Sequence, residues 1–157
     1  MDAPSILRDI QSLERVTTDR SGYTPETLPE GVVVATSVDD VVATLRYASA
    51  HRIPVVTRGA GSGLAGGSSA SQGEIVLDLG SMNSIVELDP LEQLVRVQPG
   101  ILNSEVSEAA RPHGLFYAPD PASMTYCSIG GNNATNAGGM RCAKYGVTRD
   151  SVLGLTV

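Results

Sequence analysis

Basic residues are scarce in this sequence: 11 Lys and Arg stand against 17 Asp and Glu, for a formal charge of −6. Tracking a nucleic acid takes clustered Lys and Arg on phosphates, so no nucleic-acid partner is expected. A single anionic cofactor stays open, because backbone N–H groups hold phosphate without much positive charge. Cysteine occurs only as Cys127 and Cys142, with no histidine between them. Two thiols make neither a tetrahedral metal site nor a secreted disulfide framework; they read as small thiols in a reducing compartment, and no metal is expected. No stretch reaches the roughly 18 apolar residues of a membrane span, so no transmembrane segment is expected. Met1-Asp2-Ala3-Pro4 lacks the basic and apolar regions of a signal peptide. A cytoplasmic location is the default, with attachment to a membrane only through partner subunits.

Glycine, by contrast, is plentiful: 17 residues, many of them in two tracts. That density points to backbone held in special dihedrals or pressed against a ligand. Hydrophobic residues make up 41%, enough for a real core.

Residues 3–15 read as a short helix with Ile6, Leu7, Ile10 and Leu13 near one face. Thr18 to Gly31 is polar, carries Pro25 and Pro29, and reads as an extended connection. Val32 to Ala35 is a buried strand, and Ser37 with Asp40 caps a helix whose face is Val38, Val41, Val42, Leu45 and Ala48. That helix ends near His51. Ile53 to Thr57 and Ile75 to Leu79 are further strands, and strand–helix–strand in this order marks a βαβ unit with a parallel sheet. Ile85 to Leu88 and Leu94 to Gln98 read as a hairpin turning at Asp89-Pro90. Leu102, Val106, Ala109 and Ala110 form the stripe of a helix stopped by Pro112 and Gly114. Tyr117 to Gly146 has little periodicity, and Ser151 to Val157 begins to look like another strand, as in one piece of a longer protein.

The first tract runs Arg58-Gly59-Ala60-Gly61-Ser62-Gly63-Leu64-Ala65-Gly66-Gly67-Ser68, directly after a strand. Gly61, Gly63 and Gly66 satisfy the dinucleotide spacing, but that fold needs the glycines to open a helix. Gly66 to Ser71 forms helix poorly, and Asp78 comes too early for the ribose-binding acid. A P-loop fails more cleanly, because Gly67 stands where its lysine belongs. The remaining reading is a non-helical nest of N–H groups turned in on a pyrophosphate, with Arg58 adding positive potential or forming a structural ion pair.

The second tract holds Pro119-Asp120-Pro121-Ala122-Ser123, then Gly130-Gly131-Asn132-Asn133-Ala134-Thr135-Asn136-Ala137-Gly138-Gly139, then Arg141-Cys142-Ala143-Lys144-Tyr145-Gly146. A structureless loop of roughly 30 residues is usually functional or disordered. Taken with Pro54 to Leu64, these motifs resemble the FAD-linked oxidase family with the vanillyl-alcohol-oxidase/PCMH-type flavin domain. The branch they most resemble holds the glycolate oxidase D subunit and the flavin-dependent D-lactate and D-2-hydroxyglutarate dehydrogenases.

The resemblance implies an α+β fold of the PCMH FAD-binding type, incomplete at the carboxy terminus. Residues 1–30 would be a helix and extended lead-in, 31–80 a small parallel βαβ subdomain, and 81–157 a mainly antiparallel α+β subdomain. It implies FAD with its pyrophosphate over Arg58, Gly59, Ala60, Gly61, Ser62, Gly63 and Leu64. Pro119, Asp120 and Ser123 would lie near the flavin; Gly130, Gly131, Thr135, Asn136 and Gly138 would line ribityl and phosphate groups, with Tyr145 packed close by. Relatives with covalent flavin carry a histidine about where Ser62 stands, so noncovalent FAD is expected. The implied reaction oxidises a 2-hydroxy acid of glycolate or D-lactate type to the 2-oxo acid, its Cα–H passing to flavin N5 as hydride. Electron-acceptor subunits are the implied partners. The family's catalytic histidines lie in its carboxy-terminal half, so no catalytic residue is named, and His51 and His113 are expected to be structural. The alternative is a non-catalytic flavin- or nucleotide-binding module that works only with a partner chain.

Overall fold

In the computed structural model, which describes residues 3–157, the chain divides after Met82 into two units, each with its own hydrophobic core. Met1 and Asp2, part of the expected lead-in, lie outside the described residues.

The first unit is built on a parallel sheet. Helix α1 (Ile10–Thr17) precedes β1 (Gly31–Val34), α2 (Val38–His51), β2 (Val55–Arg58) and β3 (Ile75–Asp78), and the strand order is β1-β3-β2. The expected βαβ unit is present, with β3 inserted between its two strands. That central place explains the unbroken Ile75-Val76-Leu77-Asp78, all four buried, since a middle strand of a covered sheet is shielded on both faces. Alternate residues feed two clusters. Val32 and Val76 meet Leu13 and Val16 of α1 on one side, while Val33, Ile75 and Leu77 meet Val41 and Tyr47 of α2 on the other. Helix α2 starts where a capping box was expected: Asp40 donates its N–H to Ser37 Oγ, and Asp40 Oδ2 accepts from Ser37 N at 3.0 Å and Thr36 N at 2.9 Å. It stops at Arg52, which adopts the left-handed region.

The amino-terminal helix is shifted from the expected 3–15. Residues 3–9 are not helical; Leu7 bridges Val32 through two antiparallel hydrogen bonds of 2.8 and 2.9 Å. Among the described residues the outer edge of β1 has no other strand beside it, and unpaired strand groups capture a neighbouring segment. Asp9 then opens α1, its carboxylate accepting Ser12 N at 2.9 Å.

The second unit begins with the hairpin β4 (Ile85–Asp89) and β5 (Leu94–Val97), antiparallel with a bulge between Ile85 and Glu87. Asp89 Oδ1 holds the turn through Leu91 N and Glu92 N, and Gln93 takes the left-handed residue. Helix α3 (Asn103–Ala110) follows, and its Val106 packs with Ile101 and Ile129 as the centre of the core. The stretch expected to lack periodicity contains two short helices, α4 (Ile129–Thr135) and α5 (Cys142–Tyr145). Two glycines make α4 a poor helix by propensity; long-range hydrogen bonds to the carbonyls of Pro99 and Ile101 hold it instead. Residues 152–157 form no strand among the described residues, where no neighbouring strand is available to complete their ladder.

Candidate functional site

The first glycine tract leaves the carboxyl end of β2 and returns to β3 without forming a helix. This removes the nicotinamide-type reading on the ground the sequence suggested. Gly61 and Gly66 sit at φ +64° and +77°, conformations that L side chains rarely adopt. Among the described residues, the N–H groups of Gly59, Gly61, Ser62, Gly63 and Leu64 donate to no protein acceptor. Gly59, Gly61, Ser62 and Gly63 are half-buried and Leu64 is exposed, and unpaired amides grouped in this way are a place for an anion. Glycine leaves their approach open, and each amide-to-phosphate bond would be charge-assisted. The residues present therefore fit a pyrophosphate.

Arg58 has a different role from the one its charge suggests. Its Nη1 donates to Val16 O at 3.3 Å and Ser68 O at 3.1 Å, so the side chain folds back beneath the loop it precedes. A Cβ on Gly61 would run into this guanidinium. Burial lowers the pKa of Arg58, nearby Asp78 and Asp19 raise it, and Arg15 lowers it again; the group remains a cation throughout the useful pH range. Arg15 and Asp78 form an ion pair of 3.1 Å, and Asp78 also accepts Gly80 N at 2.9 Å. The acid that came too early for a ribose ligand is thus an internal anchor.

These groups border a cavity of about 300 Å³ lined by Arg15, Val34, Arg58, Gly59, Ala60, Asp78, Gly80 and Ser81. Val34, Arg58 and Asp78 are the last residues of β1, β2 and β3. Open parallel sheets bind ligands outside the carboxyl ends of their strands. The loop and the cavity share that edge.

In the second unit, most expected site residues already have partners. Ile129 N donates to Ile101 O, Gly130 N to Pro99 O at 2.8 Å, and Gly131 N to Ser128 Oγ, so the first amides of α4 are taken. A Cβ on Gly130 would meet Pro99 at 2.8 Å. Pro119 is buried, and its carbonyl accepts Asn103 Nδ2 at 3.0 Å; the same nitrogen donates to Asn132 Oδ1 at 2.9 Å. Asp120 is buried as well; its carboxylate accepts Arg141 N at 2.9 Å and lies 3.5 Å from Arg141 Nε. Ser123 O closes a turn on Tyr126 N and Cys127 N. Gly138 fits between Cys142 Sγ and Val147, and Gly139 lies against the backbone of Asp120. Thr135 and Asn136 are exposed, the latter at φ 49° with its Oδ1 accepting Arg149 N. Tyr145 is exposed and meets Phe116 edge-on at 5.5 Å.

Sequence reading missed the two buried asparagines, Asn103 and Asn132, as joint members of this network, and it missed Arg15. Arg15 finds its partner 63 positions on, and nothing local marks it. Of the two histidines, His51 ends α2, stacked on Tyr47, and His113 lies in the turn after α3. No helix of the described residues is long and apolar enough to cross a membrane.

A family model described as an FAD binding domain matches residues 29–157. The glycolate oxidase subunit GlcD of Escherichia coli (strain K12) is 44% identical over 131 residues, 83% of this chain and 26% of that protein. The D-lactate dehydrogenase of Anaerostipes hadrus is 40% identical over 92% of this chain and 30% of its own length. The D-2-hydroxyglutarate dehydrogenase of Xanthomonas citri pv. viticola is 42% identical over 86% and 28%. Among solved structures, 6-hydroxy-D-nicotine oxidase from Arthrobacter nicotinovorans superposes with a TM-score of 0.78 at 23% identity, covering 94% of this chain and 32% of that one. That likeness concerns the fold. This chain spans between 26% and 30% of the length of these three curated relatives.

Proposed function

The chain belongs to the family of FAD binding domains, and from that premise we propose that it is the cofactor-holding part of an oxidoreductase acting on a 2-hydroxy acid of glycolate or D-lactate type. The observation that carries this reading is the row of unpaired amides at Gly59, Gly61, Ser62, Gly63 and Leu64, at the carboxyl edge of a parallel sheet. The printed names of the matched relatives, glycolate oxidase and D-lactate and D-2-hydroxyglutarate dehydrogenases, supply the substrate class.

In this proposal the amides of Gly59, Gly61, Ser62, Gly63 and Leu64 bind the pyrophosphate oxygens, and Arg58 supplies field from beneath while its hydrogen bonds stay on carbonyls. Thr135, Asn136 and Tyr145 are the exposed members of the second set, and they would meet the cofactor with side chains already oriented within the fold: Thr135 Oγ1 donates to Gly131 O, Asn136 Oδ1 accepts Arg149 N, and Tyr145 packs on Phe116. Pro119, Asp120, Ser123, Gly130, Gly131 and Gly138 shape its surroundings through a packed backbone. When bound, FAD supplies the two-electron redox chemistry, and the protein supplies position and electrostatics. Ser62 in the loop offers no imidazole for a covalent link, so the flavin is held by these contacts alone.

The test has two arms. Titrating the chain with FAD and following flavin fluorescence should give saturable quenching, and denaturing the complex should release all the flavin into the supernatant. Anaerobic addition of glycolate or D-lactate to the full-length protein should bleach the flavin absorbance. A full-length protein that takes up no FAD would overturn the cofactor reading. Bound flavin that no 2-hydroxy acid bleaches would overturn the substrate class and leave a binding module.

A further inference from the structure

Ser68 closes the loop that Arg58 opens. Its carbonyl accepts from Arg58 Nη1, while its N–H and hydroxyl both donate to Asp19 Oδ2, at 3.4 and 3.3 Å. Asp19 is fixed in turn, its Oδ1 accepting Ser21 N at 2.9 Å, and Ser21 Oγ accepts Tyr23 N at 3.0 Å. The same segment flanks the glycines. A Cβ at Gly63 would lie 3.6 Å from Asp19 Oδ2, and one at Gly66 would lie 3.7 Å from both Ser21 and Tyr23. Thr17 O receives Ala70 N at 3.2 Å, just past the loop. Residues 16–23, which lie before the matched stretch 29–157, therefore grip both ends of the loop and one flank.

A carboxylate beside an anion-binding loop needs a reason, because it only accepts hydrogen bonds and it repels phosphate. What Asp19 holds supplies that reason. We infer that Asp19 is a positioning residue: by tethering Ser68 it closes the base of the loop and keeps the amides of Gly59, Gly61, Ser62, Gly63 and Leu64 turned toward the flavin pyrophosphate. The inference rests on the proposal that this loop takes FAD. Asp19 itself contributes no contact to the cofactor. Its ionisation suits that role, since burial raises its pKa, but hydrogen bonds from Ser21 and Ser68 outweigh this and hold it below the usual carboxylate value.

The experiment compares the wild-type chain with Asp19→Asn, Asp19→Glu and Ser68→Ala by two readouts. One, without cofactor, is the rate of chymotryptic cleavage after the exposed Leu64; the other is FAD affinity by fluorescence quenching. Asp19→Asn should speed cleavage and weaken FAD binding, each about tenfold, as expected for losing one charge-assisted tether. Ser68→Ala, which keeps the backbone N–H, should show about a threefold effect, and Asp19→Glu, which keeps the acceptor, should lie between Asp19→Asn and wild type. The circular dichroism of each folded variant should match wild type. Unchanged cleavage and unchanged FAD affinity in Asp19→Asn would overturn the inference while leaving the flavin reading intact. A wild-type chain and full-length protein that bind no FAD would overturn the flavin reading, and this inference with it. If Asp19→Asn does not fold, Ser68→Ala decides: wild-type values there overturn the tether.

Discussion

Replacing Gly61 by alanine separates two reasons for a glycine that usually act together. At φ +64° an L side chain carries strain of roughly 1–2 kcal/mol. The added Cβ also meets the Arg58 guanidinium, which must then leave Val16 O and Ser68 O. Both bonds are long and share one nitrogen, at 3.3 and 3.1 Å, so together their loss costs about 1.5 kcal/mol, the low-end value of a single bond to a charged group. Gly61→Ala should therefore destabilise the first unit by about 3 kcal/mol. Two other glycines serve as controls. Gly73 has φ +85° with nothing within 4 Å of an added methyl, so Gly73→Ala isolates strain and should cost about 1 kcal/mol. Gly67 has neither positive φ nor a neighbour, and Gly67→Ala should fall within about 0.5 kcal/mol of wild type or be slightly stabilising. Urea unfolding followed by far-ultraviolet circular dichroism measures all three. A Gly61→Ala cost no larger than that of Gly73→Ala would refute the placement of Arg58 beneath the loop.

In the second unit, Gly139→Ala should be at least as damaging, by about 3 kcal/mol or more, because the new atom would overlap the main chain of Asp120 rather than the end of a flexible side chain. Limited proteolysis with mass mapping should show new cleavage between residues 83 and 157, and a wild-type digestion pattern would count against this close backbone packing. The acid limb of stability should also respond to Asp19. Hydrogen bonding holds its folded pKa below the unfolded value of about 3.9, so its stabilisation is present above that value and is lost as pH falls through the lower one. Asp19→Asn should therefore lower the urea midpoint at pH ~7 and flatten its dependence below pH ~4; an unaltered slope would show that Asp19 is not held by Ser21 and Ser68.

Features set by neighbours in sequence were legible. Ser37 and Asp40 lie three positions apart, and their capping box is a local exchange of hydrogen bonds. The three strands of the parallel sheet announce themselves as apolar runs, and the hairpin by Asp89-Pro90. The shift of α1 was not legible, because Leu7 is drawn out of any helix by a strand edge 25 positions away. Nor was α4, whose glycines argue against a helix; carbonyls of Pro99 and Ile101 hold its first turn from about 30 positions upstream. The same holds for the site. Glycine spacing pointed to the loop, yet the residue that closes it, Asp19, meets Ser68 across 49 positions.

The two tracts look alike in composition and differ in what their glycines leave free. At Gly59, Gly61, Ser62, Gly63 and Leu64 the backbone donors are unpaired among the described residues, and the nearby acceptor side chain, Asp19, is turned to Ser68. Around Gly130, Gly131 and Gly139 the donors are spent on Pro99 O, Ser128 Oγ and Cys142 Sγ, and the missing Cβ atoms let backbone approach backbone or proline ring. An anion needs donors that the fold has not used. Donors are free at Gly59, Gly61 and Gly63 and taken at Gly130, Gly131 and Gly139, which favours the proposal that the first tract takes the phosphate while the second, with the exposed Thr135, Asn136 and Tyr145, shapes the surroundings. Substitutions at Gly130, Gly131 and Gly139 should therefore change stability, read by urea unfolding, before cofactor affinity.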